Sequence, residues 1–433
     1  MRQSFPEWYA PGHDDIKTML TTGTIALDAN VLLDLYRVGA SERAQILEVF
    51  NNPDVRPRLW IPYQAALEFQ RNRVGVAATH SKQYDAIAEH VNGVVKSILN
   101  VVDRLRDESV RELLREQVAG HLDPVAAQLT DIVKELQTEN AIQLDTTSSG
   151  DEVRDAIDQL LSEPHQVGSK PDETTISTRL VEMERRYEDD IPPGYADASK
   201  SSNPEGDLFN WFELLDHHRS SSRPLIFVTS DAKPDWYEQN KGKTAGPRRE
   251  LRIEMMEQSE HPYHQMRLKR FLELANEHLS GNVEPETLRV VSSLSEQRLR
   301  ESLIYSQLQH PSIRTTIDRV VNNLSAGDPV YEAVLPAYLI LEGEVPYNEA
   351  TLVAALRTVK RLLQFDDEDR LKSSPMPNIP SDPEHFRKHA APADSWQESD
   401  GPGSSRDVDS PHQLKTLIDE WTRKPRPDFL YPK

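Results

Sequence analysis

Four acids stand where apolar sequence gives way to polar sequence. Asp28 closes the run Thr24-Ile25-Ala26-Leu27, and Asp231 closes Leu225-Ile226-Phe227-Val228-Thr229-Ser230. Glu68 lies on the stretch that follows Arg58-Leu59-Trp60-Ile61-Pro62, and Asp207 opens the amphipathic stretch that runs to Leu215. Four carboxylates drawn into one pocket repel one another unless a cation lies between them. Hard oxygen ligands favour Mg²⁺ or Mn²⁺. The chain has no Cys and no His pair at zinc-ligand spacing, which removes the usual zinc sets. The natural work of such a site is phosphodiester hydrolysis, in which divalent ions acidify water, orient the phosphate and stabilise the leaving oxygen. The competing reading is plain: an Asp after a strand commonly caps the next helix.

An acid at the end of a strand lies at the carboxyl edge of a sheet, where open α/β folds place their sites. Thr24 to Leu27 reads as a buried strand with a helix starting just after it. Arg58 to Pro62 reads as a second strand, whose proline can start a helix. Pro224 to Ser230 is the clearest strand, and Thr287 to Val291 reads as the last one of the sheet. Alternating strands and helices predict an α/β fold with a parallel, helix-flanked sheet over residues 1–295.

A long helical insertion occupies about 74–187. Ile87, Val91, Val94, Ile98 and Val101 recur at helical spacing, and after a break at Gly120 to Pro124 the pattern resumes with Leu129, Ile132 and Leu136. An antiparallel hairpin packed on itself and on the sheet is expected, with a substrate-gripping arm as the other use of the same helices. Met266 to Leu279 reads as a helix, and 296–364 as a small all-α module. The acidic, Pro- and Ser-rich stretch 365–433 is expected to be disordered, with a weakly amphipathic segment at Gln413 to Trp421.

The formal net charge of −21 over 433 residues argues against a protein that coats nucleic acid through bulk charge. A nuclease needs only a local basic rim. The absence of Cys excludes thiol catalysis and a disulfide framework. The first residues lack an apolar signal core and no stretch is apolar and long enough to span a membrane, so a soluble cytoplasmic protein is expected.

The segment Ile25-Ala26-Leu27-Asp28-Ala29-Asn30-Val31-Leu32-Leu33-Asp34-Leu35-Tyr36 resembles the opening motif of PIN-domain nucleases. Leu67-Glu68-Phe69, Asp207-Leu208-Phe209-Asn210-Trp211 and Val228-Thr229-Ser230-Asp231 resemble the second, third and fourth acid motifs of that family. Arg186-Tyr187, Ile191 to Asp197, Asp231 to Tyr237 and Arg248-Arg249-Glu250-Leu251 narrow the likeness to a bacterial PIN-like branch with a long helical insertion. The resemblance spans about 20–295 and departs from the pattern at Ala232-Lys233-Pro234.

It implies that Asp28, Glu68, Asp207 and Asp231 are catalytic, metal-binding acids, with Asp197 a candidate fifth. Asn30 either orients Asp28 or starts the helix, and the helix role is favoured. Thr229 holds a carboxylate or a water, or is an ordinary strand-end hydroxyl. Arg71, Arg73, Lys233, Arg248 and Arg249 are candidates for gripping phosphate. Asp34 and Asp235 read as surface or capping acids, and His217 and His218 as surface residues. The implied activity is that of a Mg²⁺- or Mn²⁺-dependent endoribonuclease leaving a 5′-phosphate and a 3′-hydroxyl, in a toxin, defence or RNA-turnover role. A structure-specific or single-strand DNA nuclease is one alternative. A catalytically silent scaffold that binds protein partners through the insertion and the C-terminal region is the other.

Overall fold

The structure is a computed structural model that describes residues 1, 4–142, 144, 150–197, 203–231, 233–240, 243–325, 327–342 and 349–373. The chain divides into two compact units, one ending at Leu299 and one beginning at Arg300.

In chain order the first unit contains α1 (His13–Thr22), β1 (Thr24–Leu27), α2 (Ala29–Asp34), α3 (Ala40–Asn51), β2 (Leu59–Trp60) and α4 (Tyr63–Val102). Next come α5 (Glu108–Asn140), α6 (Glu152–Leu160), α7 (Glu173–Glu188), α8 (Gly206–Ser220) and β3 (Leu225–Thr229). The hairpin of β4 (Tyr237–Asn240) and β5 (Lys243–Pro247) is followed by α9 (Arg249–Gln258), β6 (Tyr263–Arg267), α10 (Leu268–His278) and the start of α11 (Pro285–Gln309).

The main sheet is parallel, in the order β2-β1-β3-β6. Ile25 stands beside Ile226 and Ala26 beside Phe227. Successive strand residues point to opposite faces. Ile25, Leu27, Ile226 and Val228 therefore enter one core with α2, α3 and α10, while Ala26, Leu225 and Phe227 enter a second core with Trp211, Trp236 and Leu251. Both faces are covered, which explains why β1 and β3 read as unbroken apolar runs. The chain leaves β1 toward β2 on one side, and β3 lies on the other, so the strand order switches between β1 and β3. Asp28 and Asp231 follow the carboxyl ends of those two strands.

Thr287 to Val291 does not form a strand but lies in α11. Thr287 and Val291, four residues apart, are the buried positions there, which is helical spacing. The sheet's fourth strand is β6, whose sequence Tyr-His-Gln-Met-Arg is too polar to announce itself and whose last two residues fall in the stretch from Met266 read as a helix. The turn between α4 and α5 falls at 103–107, not at Gly120 to Pro124. Asp107 caps α5 by accepting from Val110 N at 3.1 Å. Pro124 stays inside α5, where the residue four back, whose carbonyl a proline ring crowds, is the flexible Gly120.

The second unit, taken by itself, is helical. It holds the rest of α11, then α12 (Pro311–Asn323), α13 (Pro329–Leu341) and α14 (Glu349–Ser373), packed around Leu308, Ile317, Val334 and Leu356. α14 continues past residue 365, where sequence reading expects order to end. The segment Gln413 to Trp421 lies outside the described residues. No helix among the described residues is long and apolar enough to cross a membrane.

Candidate active site

Asp28 is the N-cap of α2. Its Oδ1 accepts from Ala29 N at 2.8 Å. Its other oxygen, Oδ2, accepts from the Thr229 hydroxyl at 2.6 Å and from Asn30 Nδ2 at 2.6 Å. Asn30 Nδ2 also reaches Thr229 Oγ1 at 3.1 Å, and its Oδ1 accepts from Ser230 N at 2.8 Å. The Asn30 side chain thus ties the end of β1 to the end of β3 and orients Asp28. It is not committed to starting the helix, the role the sequence favours. Asp231 N donates to Thr229 Oγ1 at 3.0 Å, which places the fourth acid beside the first.

Asp207 comes from the first turn of α8 and Asp197 from the turn after α7. Gly194 makes that turn with φ +95°, a conformation side chains disfavour, and its N donates to Asp235 Oδ2 at 2.8 Å. Arg186 steadies the same loop by donating to Pro192 O at 3.2 Å while pairing with Glu254, which Trp211 Nε1 also contacts.

The Lys233 ammonium links these acids. It donates to Asp197 Oδ2 and to Asp207 Oδ2, both at 2.7 Å, and lies 3.3 Å from Asp231 Oδ2. Burial alone would lower its pKa. The charges of Asp207, Asp231, Asp197 and Asp235 outweigh burial and hold it well above the ordinary value. Burial, followed by the Asp207 and Asp231 charges, pushes Asp28 up to about 6. Burial and the Asp207 charge push Asp235 up to about 7. Both shifts come first from burial, and the neighbouring carboxylates add to it.

Glu68 stands partly buried on the second turn of α4, a helix that packs against α2 and α8, the carriers of Asn30 and Asp207. The start of α4 is tied to α8 by Gln64 N, which donates to Glu213 Oε2 at 3.3 Å.

The basic candidates fare differently. Arg71 is exposed. Arg73 pairs with Asp151, and Arg248 with Glu250 at 2.6 Å. Arg249 pairs with Glu238 at 2.6 Å and lies 3.7 Å over the Trp8 ring. Lys233 is held among the acids.

Four residues depart from their surface assignment. Asp34 is buried, accepts from Ser230 Oγ at 2.8 Å and pairs with Arg298. Asp235 is fully buried in the loop that carries Lys233. His218 is fully buried, and His217 stacks on Trp60 at 4.0 Å. Asp34, Asp235 and His218 are buried and His217 half-buried against partners remote in sequence, which no local pattern reveals.

Sequence reading missed Asn210, one turn after Asp207. It is buried, its Nδ2 reaches Asp28 Oδ1 at 3.4 Å, and its Oδ1 has no hydrogen-bond partner. Spacing held the clue, since a residue three on from Asp207 shares its helix face. Asp197, Asp207 and Asp231 already share one cation, the Lys233 ammonium, and with Asp28 and the orphaned Asn210 oxygen they offer only oxygen donors, the chemistry a hard divalent cation takes.

The sequence pattern of the PIN-like domain matches residues 24–251, more than half of the chain and a span that contains every one of these acids. The chain belongs to the PIN-like domain family. No characterised protein and no solved structure matches it. The parallel sheet with flanking helices is therefore a PIN-like core, with α4 and α5 a helical insertion in it and the helices after α10 following it. PIN-like domains are a nuclease-type fold.

Proposed function

We propose that this PIN-like protein is a divalent-metal-dependent nuclease, with RNA the favoured substrate and endonucleolytic cleavage the favoured mode. The observation that carries the proposal is the gathering of Asp197, Asp207 and Asp231 on the Lys233 ammonium, with Asp28 tied to Asp231 through the Thr229 hydroxyl at the strand-order switch. Asp28, Asp207 and Asp231, with Asp197, the Asn210 oxygen and Glu68, are the groups that would hold Mg²⁺ or Mn²⁺. When bound, such ions supply Lewis-acid polarisation of a phosphodiester and acidify water. Thr229 and Asn30 hold the Asp28 carboxylate in one orientation, so its lone pairs point the same way in every turnover. The preference for RNA comes from the family resemblance alone, and so does a toxin, defence or RNA-turnover role.

Lys233 favours a second reading. An ammonium bonded to two of the acids neutralises part of the pocket without any metal, as a catalytically silent scaffold would require. One experiment separates the two. Labelled RNA and DNA are incubated with wild type and with Asp28→Asn/Asp231→Asn, with and without Mn²⁺. Metal-dependent cleavage in wild type that falls at least a hundredfold in the double variant supports the nuclease. Equal cleavage by both proteins identifies a contaminant, and no cleavage of either polymer leaves the scaffold.

A further inference from the structure

The two longest helices leave apolar surface uncovered. α4 and α5 run antiparallel. Gln137 Nε2 donates to Ser81 O and to Asp85 Oδ1, each at 3.0 Å, and Arg115 pairs with Asp103. These contacts set Ile87 level with Ile132 and Val94 level with Val125. The seam between the helices takes Val91, Val95 and Val102 from α4, and Leu122, Ala126 and Val133 from α5.

A second stripe runs along each helix. With about 3.6 residues per turn, Ile87, Val94, Ile98 and Val101 of α4 fall together, a quarter-turn from the seam. On α5, Val125, Leu129, Ile132 and Leu136 fall a quarter-turn from their seam, in the same rotational sense. In antiparallel helices, equal rotation in the same sense brings both stripes to one face of the pair. These eight aliphatic side chains are 39–62% exposed. An exposed apolar face of this extent marks a binding surface.

We propose that this face pairs with the same face of a second copy of the chain, forming an antiparallel four-helix bundle. The gaps of seven, four and three residues along α4 and of four, three and four along α5 are those of helices meant to meet other helices. Each hairpin already supplies half of such a bundle. A two-fold axis lets one patch complete itself, because each apolar residue meets its equivalent set on the partner. The size suits the role: about 30 Å of two helices, each about 10 Å wide, buries roughly 600 Å² per copy. The total of roughly 1,200 Å² reaches the lower bound of specific interfaces. A nucleic-acid backbone is a poor occupant, since aliphatic side chains offer no charge to phosphate. The amphipathic segment Gln413–Trp421 is too short, because nine residues as helix make only about 14 Å.

The test is sedimentation of the full chain from low to high micromolar concentration. Wild type is expected at twice its mass of 49.3 kDa. Ile98→Glu/Leu129→Glu is expected at the single mass, with unchanged helical circular dichroism because both side chains are exposed already. Glu89→Arg, on the opposite flank, should remain a dimer. Ile132→Gln, a milder change, should raise the dimer dissociation constant at least tenfold. A wild type that stays monomeric throughout overturns the proposal, and so does a double-Glu or Ile132→Gln variant that dimerises like wild type.

Discussion

The Thr229 hydroxyl donates to Asp28 Oδ2 at 2.6 Å, joining the last residue of β3 to the acid that follows β1. The bond crosses the point where the strand order switches. Thr229 Oγ1 also accepts from Asp231 N at 3.0 Å, so a single hydroxyl fixes both acids.

Thr229→Val keeps the shape and removes the hydroxyl. If Thr229 orients a ligand carboxylate, metal affinity and cleavage should fall about 10–100-fold, the usual effect of losing such a support. Stability should change by only about 1 kcal/mol, the typical net value of one hydrogen bond. Mn²⁺ titration calorimetry beside thermal melts checks this. An unchanged Mn²⁺ affinity would remove Thr229 from the site.

Lys233→Met leaves Asp197, Asp207 and Asp231 without their shared ammonium. With no divalent ion present the variant should melt below wild type, since neighbouring like charges then lose the ammonium between them. With Mn²⁺ the order should reverse in size: the variant should show the larger thermal shift and at least tenfold tighter binding, because no resident cation has to be displaced. Weaker Mn²⁺ binding in Lys233→Met would show that the ammonium supports the metal site and does not compete with it.

The acids at strand ends were legible because β1 and β3 are buried on both faces, which makes their apolar runs stop abruptly at Asp28 and Ser230-Asp231. β6 was not legible. It pairs with a neighbour on one side only, and Gln265 is buried on it, so neither an apolar run nor a clean alternation appears. The place of the hairpin turn was obscured because Gly120 and Pro124 look like breakers, whereas the actual turn depends on the Asp107 cap. Asp34 and Asp235 could not be placed from local sequence. Ser230 buries one and Gly194 holds the other, across 196 and 41 residues of sequence.

Asp34 pairs with Arg298 and accepts from Ser230 Oγ at 2.8 Å. Arg298 also donates to Asn30 O at 3.4 Å, so α11 is fastened beneath the helix that carries the orienting Asn30. Asp34→Ala takes the buried carboxylate away from the mostly buried Arg298 guanidinium, and removing one partner of such a pair costs about 3–5 kcal/mol. Asp34→Ala/Arg298→Met should recover much of that loss, because the double variant removes both charges of the pair. Urea melts of the three proteins measure it. A double variant as unstable as Asp34→Ala would show that the loss comes from the cavity and not from the charge.

His217 gives the clearest pH dependence. Burial lowers its pKa to about 4, with the neighbouring His218 adding to the shift, while an unfolded chain keeps the ordinary value of 6.5. Between those values the unfolded chain binds the proton and the folded chain does not. The stability contributed by the neutral ring is therefore fully present above pH 6.5 and is lost as pH falls toward 4. His217→Phe keeps a ring on Trp60 and removes the titration. Melts of both proteins across this window should show a constant difference above pH 6.5. Below it wild type should lose ground to the variant by up to about 3 kcal/mol. His264, lowered to about 4 by its own burial, titrates equally in both proteins and cancels from the difference. A difference that stays flat down to pH 4 would mean that the imidazole accepts its proton without leaving the Trp60 stack.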